Sequence, residues 1–297
     1  MTETPSKPPS GTTEAASGQG KPPSRISPSK TDEVLLQVDG VSLTLGGNRI
    51  LEKLSFSVHD RIRPNEVTGQ IVGLLGPSGV GKTRLLRIIA GLDQPDVGQV
   101  LGKKGQPLPV GSVGVVFQNY ILLRHRTVLG NLLTAGAVAG LASDQARKRA
   151  DELLQRFGLG ERKKFYPAQL SGGQRQRVAI AQQLVHQKQL LIMDEPFSGL
   201  DPQALGTVID LLYSVAHQHE HNTIIVITHD IRAAMMLCDT LLLLGRDRDA
   251  QGKVVSGAHI QEEIDLVEEG LAWQDNVELE PKFLTLERRI KAAFARL

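Results

Sequence analysis

Short apolar runs alternate with longer amphipathic stretches along most of this chain. Five runs are too short for helices and are bounded by turn residues, which predicts buried strands at 70–75, 113–117, 190–194, 223–228 and 240–244. Stretches with apolar residues at helical spacing predict helices at 82–92, 144–157, 171–187, 202–219 and 230–238. Buried strands alternating with helices are typical of an α/β fold, with a mostly parallel sheet covered on both faces.

Three regions outside the predicted α/β core differ from it in their hydrophobic pattern. Residues 34–45 and 54–58 read as strands on either side of Gly46-Gly47-Asn48, a turn signal that predicts an antiparallel β part. Residues 119–172 are rich in helix-forming positions, with Ser143 as a predicted N-cap, and are expected to form an inserted α-helical subdomain. From Ile260 the chain is polar, and residues 246–297 are expected to be a C-terminal helical extension.

The first 30 residues differ in composition from the rest. They hold six of the 15 prolines and six serines, and they lack Val, Leu, Phe, Tyr and Trp. Such a segment buries too little apolar surface to offset the entropy of ordering it. The expected organisation is a disordered tail at 1–30, one main domain at 31–245 and the extension at 246–297.

Charge and cysteine content argue against several classes of protein. With 34 Lys and Arg against 32 Asp and Glu, the net charge is +2, which disfavours a dedicated nucleic-acid-binding protein. A single cysteine, Cys238, excludes a disulfide framework. The longest purely apolar or glycine run, 135–142, is too short to span a membrane, and residues 1–30 lack the apolar stretch of a secretory signal. The chain is therefore expected to be cytoplasmic.

A phosphate-binding loop follows the first buried strand. The pattern G-x-x-x-x-G-K-[ST] is matched by Gly76, Pro77, Ser78, Gly79, Val80, Gly81, Lys82 and Thr83. Glycines let backbone N–H groups converge on phosphate oxygens, and the N-terminus of the following helix adds positive potential. We expect Lys82 to reach the β- and γ-phosphates of a nucleotide and the Thr83 hydroxyl to bind Mg²⁺.

Two carboxylates end the predicted strand at 190–194. In a parallel sheet, Asp194 and Glu195 would lie at the carboxyl edge, beside the phosphates. Asp194 then suits the metal, and Glu195 suits a general base or a group that orients attacking water. Acidic residues are also common at strand ends, so only the phosphate-binding loop makes this pair informative.

A second candidate anion site opens the helix predicted from Ser171. Ser171, Gly172, Gly173 and Gln174 would place a second set of backbone N–H groups at a helix N-terminus. Two such cradles serve one nucleotide only if they face each other, which two copies packed head to tail would allow.

With these motifs in this order, the sequence resembles the ATP-binding cassette (ABC) ATPase family over roughly 34–245. Ser171–Gln174 is similar to the family's signature motif, and Asp201 in Ser198-Gly199-Leu200-Asp201 is similar to its D-loop aspartate. Gln118 resembles the Q-loop glutamine and His229 the switch histidine. The resemblance implies a P-loop NTPase core that binds ATP and Mg²⁺. It implies Thr83, Gln118 and Asp194 near the metal, with Glu195, His229 and Lys82 in catalysis.

One position departs from the family pattern. Near the first hairpin the family usually offers an aromatic ring to the adenine, whereas Leu45 stands at the matching place here. Either Leu45 gives the base an apolar contact without stacking, or it is a core leucine and another ring supplies the stacking. A second departure is a longer loop at 60–68, which reads as a surface insertion.

One cassette without a membrane segment resembles the separate ATPase subunit of a bacterial transporter, most often an importer. The implied partners are a second copy of the chain, membrane permease subunits and a substrate-binding protein, with no nucleic acid. The implied location is the cytoplasmic face of the inner membrane. The segment Gly270-Leu271-Ala272-Trp273 is weakly similar to tails in the nitrate, sulfonate and taurine importer group. The alternative is an ATP-gated regulatory module that acts without a permease.

Overall fold

The structure is a computed structural model that describes residues 29–62, 69–186, 188–216, 222–272, 274 and 276–296. Nearly all of the predicted tail (1–28), most of the predicted insertion (63–68) and Trp273 lie outside the described residues.

Nine strands of the described residues form one sheet, in the order β4-β1-β2-β9-β8-β3-β7-β6-β5. The strands are β1 Ser29–Leu45, β2 Asn48–Ile62, β3 Gln70–Leu75, β4 Val97–Gly102, β5 Val113–Val116, β6 Leu190–Asp194, β7 Thr223–Thr228, β8 Thr240–Arg248 and β9 Val254–Asp265. The five strands predicted for the core are all present, and they are adjacent as β8-β3-β7-β6-β5 with parallel pairing. The predicted α/β fold with a mostly parallel core is confirmed.

The central strands are buried on both faces. Every residue of β3 and of β7 is buried, which explains why their sequences are continuous apolar runs rather than alternating ones. The two faces of β3 enter different clusters. Ile71 and Leu75 pack with residues of α4–α7, whereas Val72 and Leu74 pack with residues of α1, β1 and β2.

The antiparallel part begins with the predicted hairpin. Strands β1 and β2 pair around a turn at Gly46 and Gly47, whose φ angles of +55° and +80° favour glycine. The sequence analysis missed β4, which pairs antiparallel with β1 at the sheet edge. The first three residues of β4 are exposed, so its sequence carries no buried apolar run.

Seven α-helices lie in the described residues: α1 Lys82–Ile89, α2 Val128–Val138, α3 Ser143–Arg156, α4 Gly172–Leu184, α5 Pro202–Ala216, α6 Ile231–Leu237 and α7 Pro281–Phe294. Helix α3 begins at Ser143, with Ala142 as its N-cap, so the predicted capping role of Ser143 is wrong by one position. None of these helices is both long and apolar enough to cross a membrane.

Helices α2 and α3 lie between β5 and α4 in the chain. Helix α2 packs against α3, and both contact α4, through buried residues that include Leu132, Ala150, Leu154 and Val178. The predicted boundary at 172 falls at the first residue of α4, which continues to Leu184.

The C-terminal region is not the purely helical extension expected for 246–297. Strand β8 continues to Arg248, and β9 returns antiparallel to it before the single helix α7. Only three of the twelve residues of β9 are buried, so its sequence carries no buried apolar run that would predict a strand. Arg61 and Asp265 nevertheless join β2 to β9 by an ion pair of 2.5 Å.

Helix α7 is packed into the main core. Phe283, Leu286 and Ile290 are buried in the cluster that also holds Leu237 of α6. The Arg232 guanidinium lies over the Phe283 ring, 5.6 Å from its centroid. The C-terminal segment therefore contributes to the stability of the domain.

We predict that Phe283→Ala lowers the free energy of unfolding by about 3–5 kcal/mol, because it leaves a cavity at a fully buried ring. Urea unfolding followed by circular dichroism would measure it. Leu284→Ala is the matched control, since Leu284 is exposed and its truncation should cost less than about 0.5 kcal/mol. A Phe283→Ala value as small as the control would contradict the packing of α7.

Candidate nucleotide-binding site

The phosphate-binding loop connects β3 to α1. Gly79 and Gly81 have φ angles of +80° and +122°, which side chains rarely adopt. A Cβ atom on Gly81 would also lie 3.1 Å from side-chain atoms of Ile50 and Leu51, so the start of β2 packs directly against this loop. The loop is thus held between the hairpin and the central strand.

Lys82, the first residue of α1, turns its side chain back over the loop. Its Nζ donates hydrogen bonds to the carbonyl oxygens of Gly76 (2.7 Å) and Pro77 (3.1 Å) and lies 3.7 Å from Glu195 Oε1. Burial lowers the pKa of Lys82, and the charges of Glu195 and Asp194 oppose that effect. The amine is therefore a desolvated cation at the centre of the site.

Asp194 ends β6 beside the start of α1. Its Oδ2 accepts a hydrogen bond of 3.0 Å from the Thr83 hydroxyl. Burial raises the pKa of Asp194, and the Thr83 hydrogen bond acts in the opposite direction. A hydroxyl and a carboxylate at this separation are the hard oxygen donors that Mg²⁺ prefers.

Glu195 is held in a conformation that non-glycine residues seldom adopt, with φ +50°. Its backbone N–H donates to the Ile227 carbonyl at 2.8 Å, and the Thr228 hydroxyl donates to Oε2 at 3.1 Å. His229 Nδ1 lies 2.9 Å from both carboxylate oxygens. Glu195 is 12% exposed and His229 is 56% exposed, so the carboxylate is enclosed while the imidazole faces solvent.

These groups line one cleft of about 340 Å³. Its lining residues are Ser78, Gly79, Gly81, Lys82, Thr83, Arg84, Gln118, Asp194, Glu195 and His229. Gln118 reaches it from the turn that follows β5. The cleft thus brings together the predicted loop, both carboxylates, the glutamine and the histidine.

The remaining predicted residues do not line this cleft. Ser171 is the N-cap of α4 and forms a reciprocal capping box with Gln174. Gly172 and Gly173 face open space, since a Cβ atom on either would meet nothing within 4 Å. The N-terminus of α4 is therefore free to contact another molecule.

Asp201 and Leu45 also lie apart from the cleft. Asp201 precedes α5, and its Oδ1 accepts from the Ala204 N–H at 2.8 Å. Leu45 ends β1 at the hairpin turn and is 38% exposed. That exposure argues against the reading of Leu45 as a core leucine.

The sequence analysis missed three residues that support the site. Thr228 binds Glu195, and Arg246 Nη2 donates to the Gly79 carbonyl at 3.2 Å. The buried Gln176 of α4 donates through Nε2 to the Pro196 carbonyl, which ties α4 to the segment after Glu195. Thr228 could have been found as the residue that ends β7 directly before His229, whereas Arg246 and Gln176 carry no local signal.

Comparisons with known proteins agree with this geometry. A family model described as "ABC transporter" matches residues 61–198. The sulfate/thiosulfate import ATP-binding protein CysA of Synechococcus elongatus is 37% identical over 75% of this chain and 63% of its own length, so the chain spans less than two thirds of that relative. The L-cystine import ATP-binding protein TcyC of Bacillus subtilis is 35% identical over 71% of this chain and 86% of its own.

Solved structures show the same fold. CbiO1 from Clostridium perfringens, part of the ABC transporter complex CbiONQ, superposes with a TM-score of 0.67 at 25% identity, covering 88% of this chain and 100% of that one. The ATP-binding cassette MJ0796, a dimer in a post-hydrolysis state with ADP and Pi, superposes with a TM-score of 0.61 at 26% identity, covering 78% and 99%.

Sequence, fold and comparisons thus lead to one assignment: the chain belongs to the ABC transporter family and has the P-loop NTPase fold.

Proposed function

We propose that this chain hydrolyses Mg²⁺-ATP at the cleft between α1, β6 and β7 and thereby drives import through a separate membrane permease. The observation that carries the proposal is the cluster of Lys82, Glu195 and His229 next to the Thr83–Asp194 pair. This cluster would supply a phosphate-binding cation, a carboxylate for water and oxygen donors for a metal around one cleft.

The loop residues 76–83 would hold the phosphates through backbone N–H groups, as the glycine conformations allow. Lys82 would turn from the Gly76 and Pro77 carbonyls and Glu195 toward the β- and γ-phosphates. A phosphate oxygen offers this amine a full negative charge, whereas the carbonyls offer only dipoles.

Thr83 and Asp194, with Gln118 from the turn after β5, would hold Mg²⁺. When bound, the ion neutralises charge that develops on the phosphate oxygens. The donor set of one hydroxyl, one carboxylate and one amide oxygen fits a cation that keeps several waters.

Glu195 would orient the attacking water and accept its proton. Thr228 and His229 fix the carboxylate from two sides, so that Glu195 needs little reorganisation as the reaction proceeds. The solvent-facing His229 would complete the contact with the γ-phosphate.

The N-terminus of α4 and Asp201 would act on the nucleotide of a second copy. Ser171 and Gly172 are exposed, Ser171–Gln174 does not line its own chain's cleft, and the ATP-binding cassette MJ0796 is described as a dimer. A head-to-tail pair would place each α4 N-terminus opposite the phosphate-binding loop of the other copy. ATP would then hold the two copies together, and hydrolysis would release them.

The transport role rests on the relatives. CysA, TcyC and the methionine protein MetN are all named import ATP-binding proteins. By analogy this chain would sit at the cytoplasmic face of the membrane and contact permease subunits near Gln118, with a substrate-binding protein delivering the cargo. Those relatives are named for different substrates: sulfate or thiosulfate, L-cystine and methionine.

Replacement of Glu195 by Gln should retain ATP binding and lower turnover by about 100-fold or more, because the amide keeps the shape but cannot accept the proton. With Mg²⁺-ATP an enlarged species of twice the mass should accumulate on size-exclusion chromatography with light scattering. Glu161→Gln, at an exposed glutamate, is the control and should match wild type. Wild-type turnover in Glu195→Gln would refute the assigned role.

Lys82→Ala should weaken ATP binding about tenfold or more, since it removes a charge-assisted contact with the phosphates. Isothermal titration calorimetry gives the affinity, and Lys148→Ala on the exposed face of α3 is the matched control. An affinity equal to wild type would show that the nucleotide phosphates lie elsewhere.

Leu45→Tyr should tighten ATP binding about threefold to tenfold, because an aromatic pair adds about 0.5–1.5 kcal/mol beyond burial. In the wild type, an apolar contact without stacking should also let GTP compete with ATP. The control is Leu279→Tyr, an exposed leucine in the C-terminal region. If Leu45→Tyr binds ATP no more tightly than wild type, Leu45 does not contact the base.

A further inference from the structure

A cleft of about 890 Å³ lies at the amino-terminal edge of the parallel sheet. Its floor includes Ser112, Leu190 and Thr223, which lie just before or at the starts of β5, β6 and β7. The nucleotide cleft is at the other ends of these strands. A strand rises about 3.3 Å per residue, so strands of this length separate the two clefts by roughly 13–20 Å.

The walls of this basal cleft are apolar. They are formed by Leu35 and Leu36 of β1, by the loop 107–110 and by Val138 and Ala139 at the end of α2. Val110 and Val138 are 98% and 77% exposed, so the mouth presents apolar surface to solvent. The volume and the lining are those of a small-molecule site.

The ionisable residues that line this cleft are all basic. Lys103, His186 and Lys188 line the cleft, and its lining residues include no aspartate or glutamate. Lys103 has an acidic neighbour outside the lining, since its Nζ lies 3.5 Å from Glu33. Lys188 donates to the Val113 carbonyl at 3.1 Å, and within the described part of the chain it has no carboxylate partner.

His186 and Lys188 are also half-buried. Desolvation lowers the pKa of Lys188, and it lowers the pKa of His186, on which the Lys188 charge also acts. Ser112 Oγ and Thr223 Oγ1 are inaccessible to solvent and lack a hydrogen-bond partner among the described residues. The lining therefore combines a partly desolvated cation with two hydroxyl groups that have unused hydrogen-bonding capacity.

We propose that the basal cleft binds an organic anion, a carboxylate or sulfonate with an apolar body. The acidic group would pair with Lys188, and the body would lie against the walls at Leu35, Leu108 and Val138. Paired charge would offset the desolvation of Lys188, and the apolar body would cover surface that is exposed at the mouth. This site is separate from the nucleotide cleft and does not depend on the proposed function.

The probe is the aromatic sulfonate 8-anilinonaphthalene-1-sulfonate, whose fluorescence rises in apolar surroundings. N-phenyl-1-naphthylamine has the same rings without the sulfonate and is the neutral comparison. Titrations use the full chain with saturating Mg²⁺-ADP, so that the nucleotide cleft is filled. We expect one saturable site that binds the sulfonate about tenfold more tightly than the neutral dye, a gain equivalent to one charge-assisted hydrogen bond.

Lys188→Met should weaken sulfonate binding about tenfold and leave the neutral dye within about twofold, while Lys188→Arg retains the charge and most of the affinity. Lys164→Met, at an exposed lysine outside the cleft, is the control. If Lys188→Met does not fold, Val138→Asp tests the same site from its exposed rim. It should weaken sulfonate binding more than Val138→Asn does.

Three results would overturn the proposal. The first is equal affinity for the two dyes, and the second is sulfonate binding that neither Lys188→Met nor Val138→Asp weakens relative to its control. The third is the absence of saturable binding to the full chain, which is expected if another segment or a second copy fills the cleft. A purely structural Lys188 would lower the melting temperature when replaced and leave the ratio of the two dye affinities unchanged.

Discussion

The site depends on the parallel pairing of three neighbouring strands. Leu75 of β3 pairs in register with Thr228 of β7, and Ile227 of β7 pairs with Asp194 of β6. Because these strands run in the same direction, their carboxyl ends meet at one edge. That alignment brings two carboxylates and a histidine to the phosphate-binding loop, which lies more than 100 residues earlier in the chain. A shift of register by one residue would separate them and turn the buried side chains to the wrong face.

Much of this arrangement could be predicted from the sequence, for a physical reason. Buried parallel strands must be continuous apolar runs, and groups that follow them must lie at the same edge, so Asp194, Glu195 and His229 could be placed without coordinates. The glycines at 79 and 81 are required by their φ angles, which makes the loop recognisable by composition alone. The contact of Lys82 with Glu195 could not be predicted in this way, because it depends on side-chain direction across the cleft.

The strands that the sequence analysis did not predict are held by pairing with distant strands. Strands β4 and β9 expose many of their residues and owe their conformation to pairing with β1 and β8. Their own sequences therefore contain little strand signal. Gln176 and Arg246 are similar cases: each reaches a carbonyl from an element distant in the chain, at Pro196 and Gly79, and neither position is marked by a motif. A sequence pattern predicts an element whose own residues are buried at a regular spacing. It predicts poorly an element or a side chain whose conformation depends on contacts with distant parts of the chain.

The charged side chains around Glu195 and the Thr83 hydroxyl already have partners within the chain. Lys82 contacts two carbonyls and Glu195, Thr83 donates to Asp194, and Thr228 and His229 hold Glu195. Binding of a nucleotide must therefore exchange contacts rather than add them, so affinity is the difference between the old contacts and the new ones. The N-terminus of α4 has no such competing tertiary contact at Gly172 and Gly173, so phosphate contacts made there would displace water rather than other protein groups. This imbalance favours assembly of the complete site between two copies over binding of the nucleotide to one copy alone.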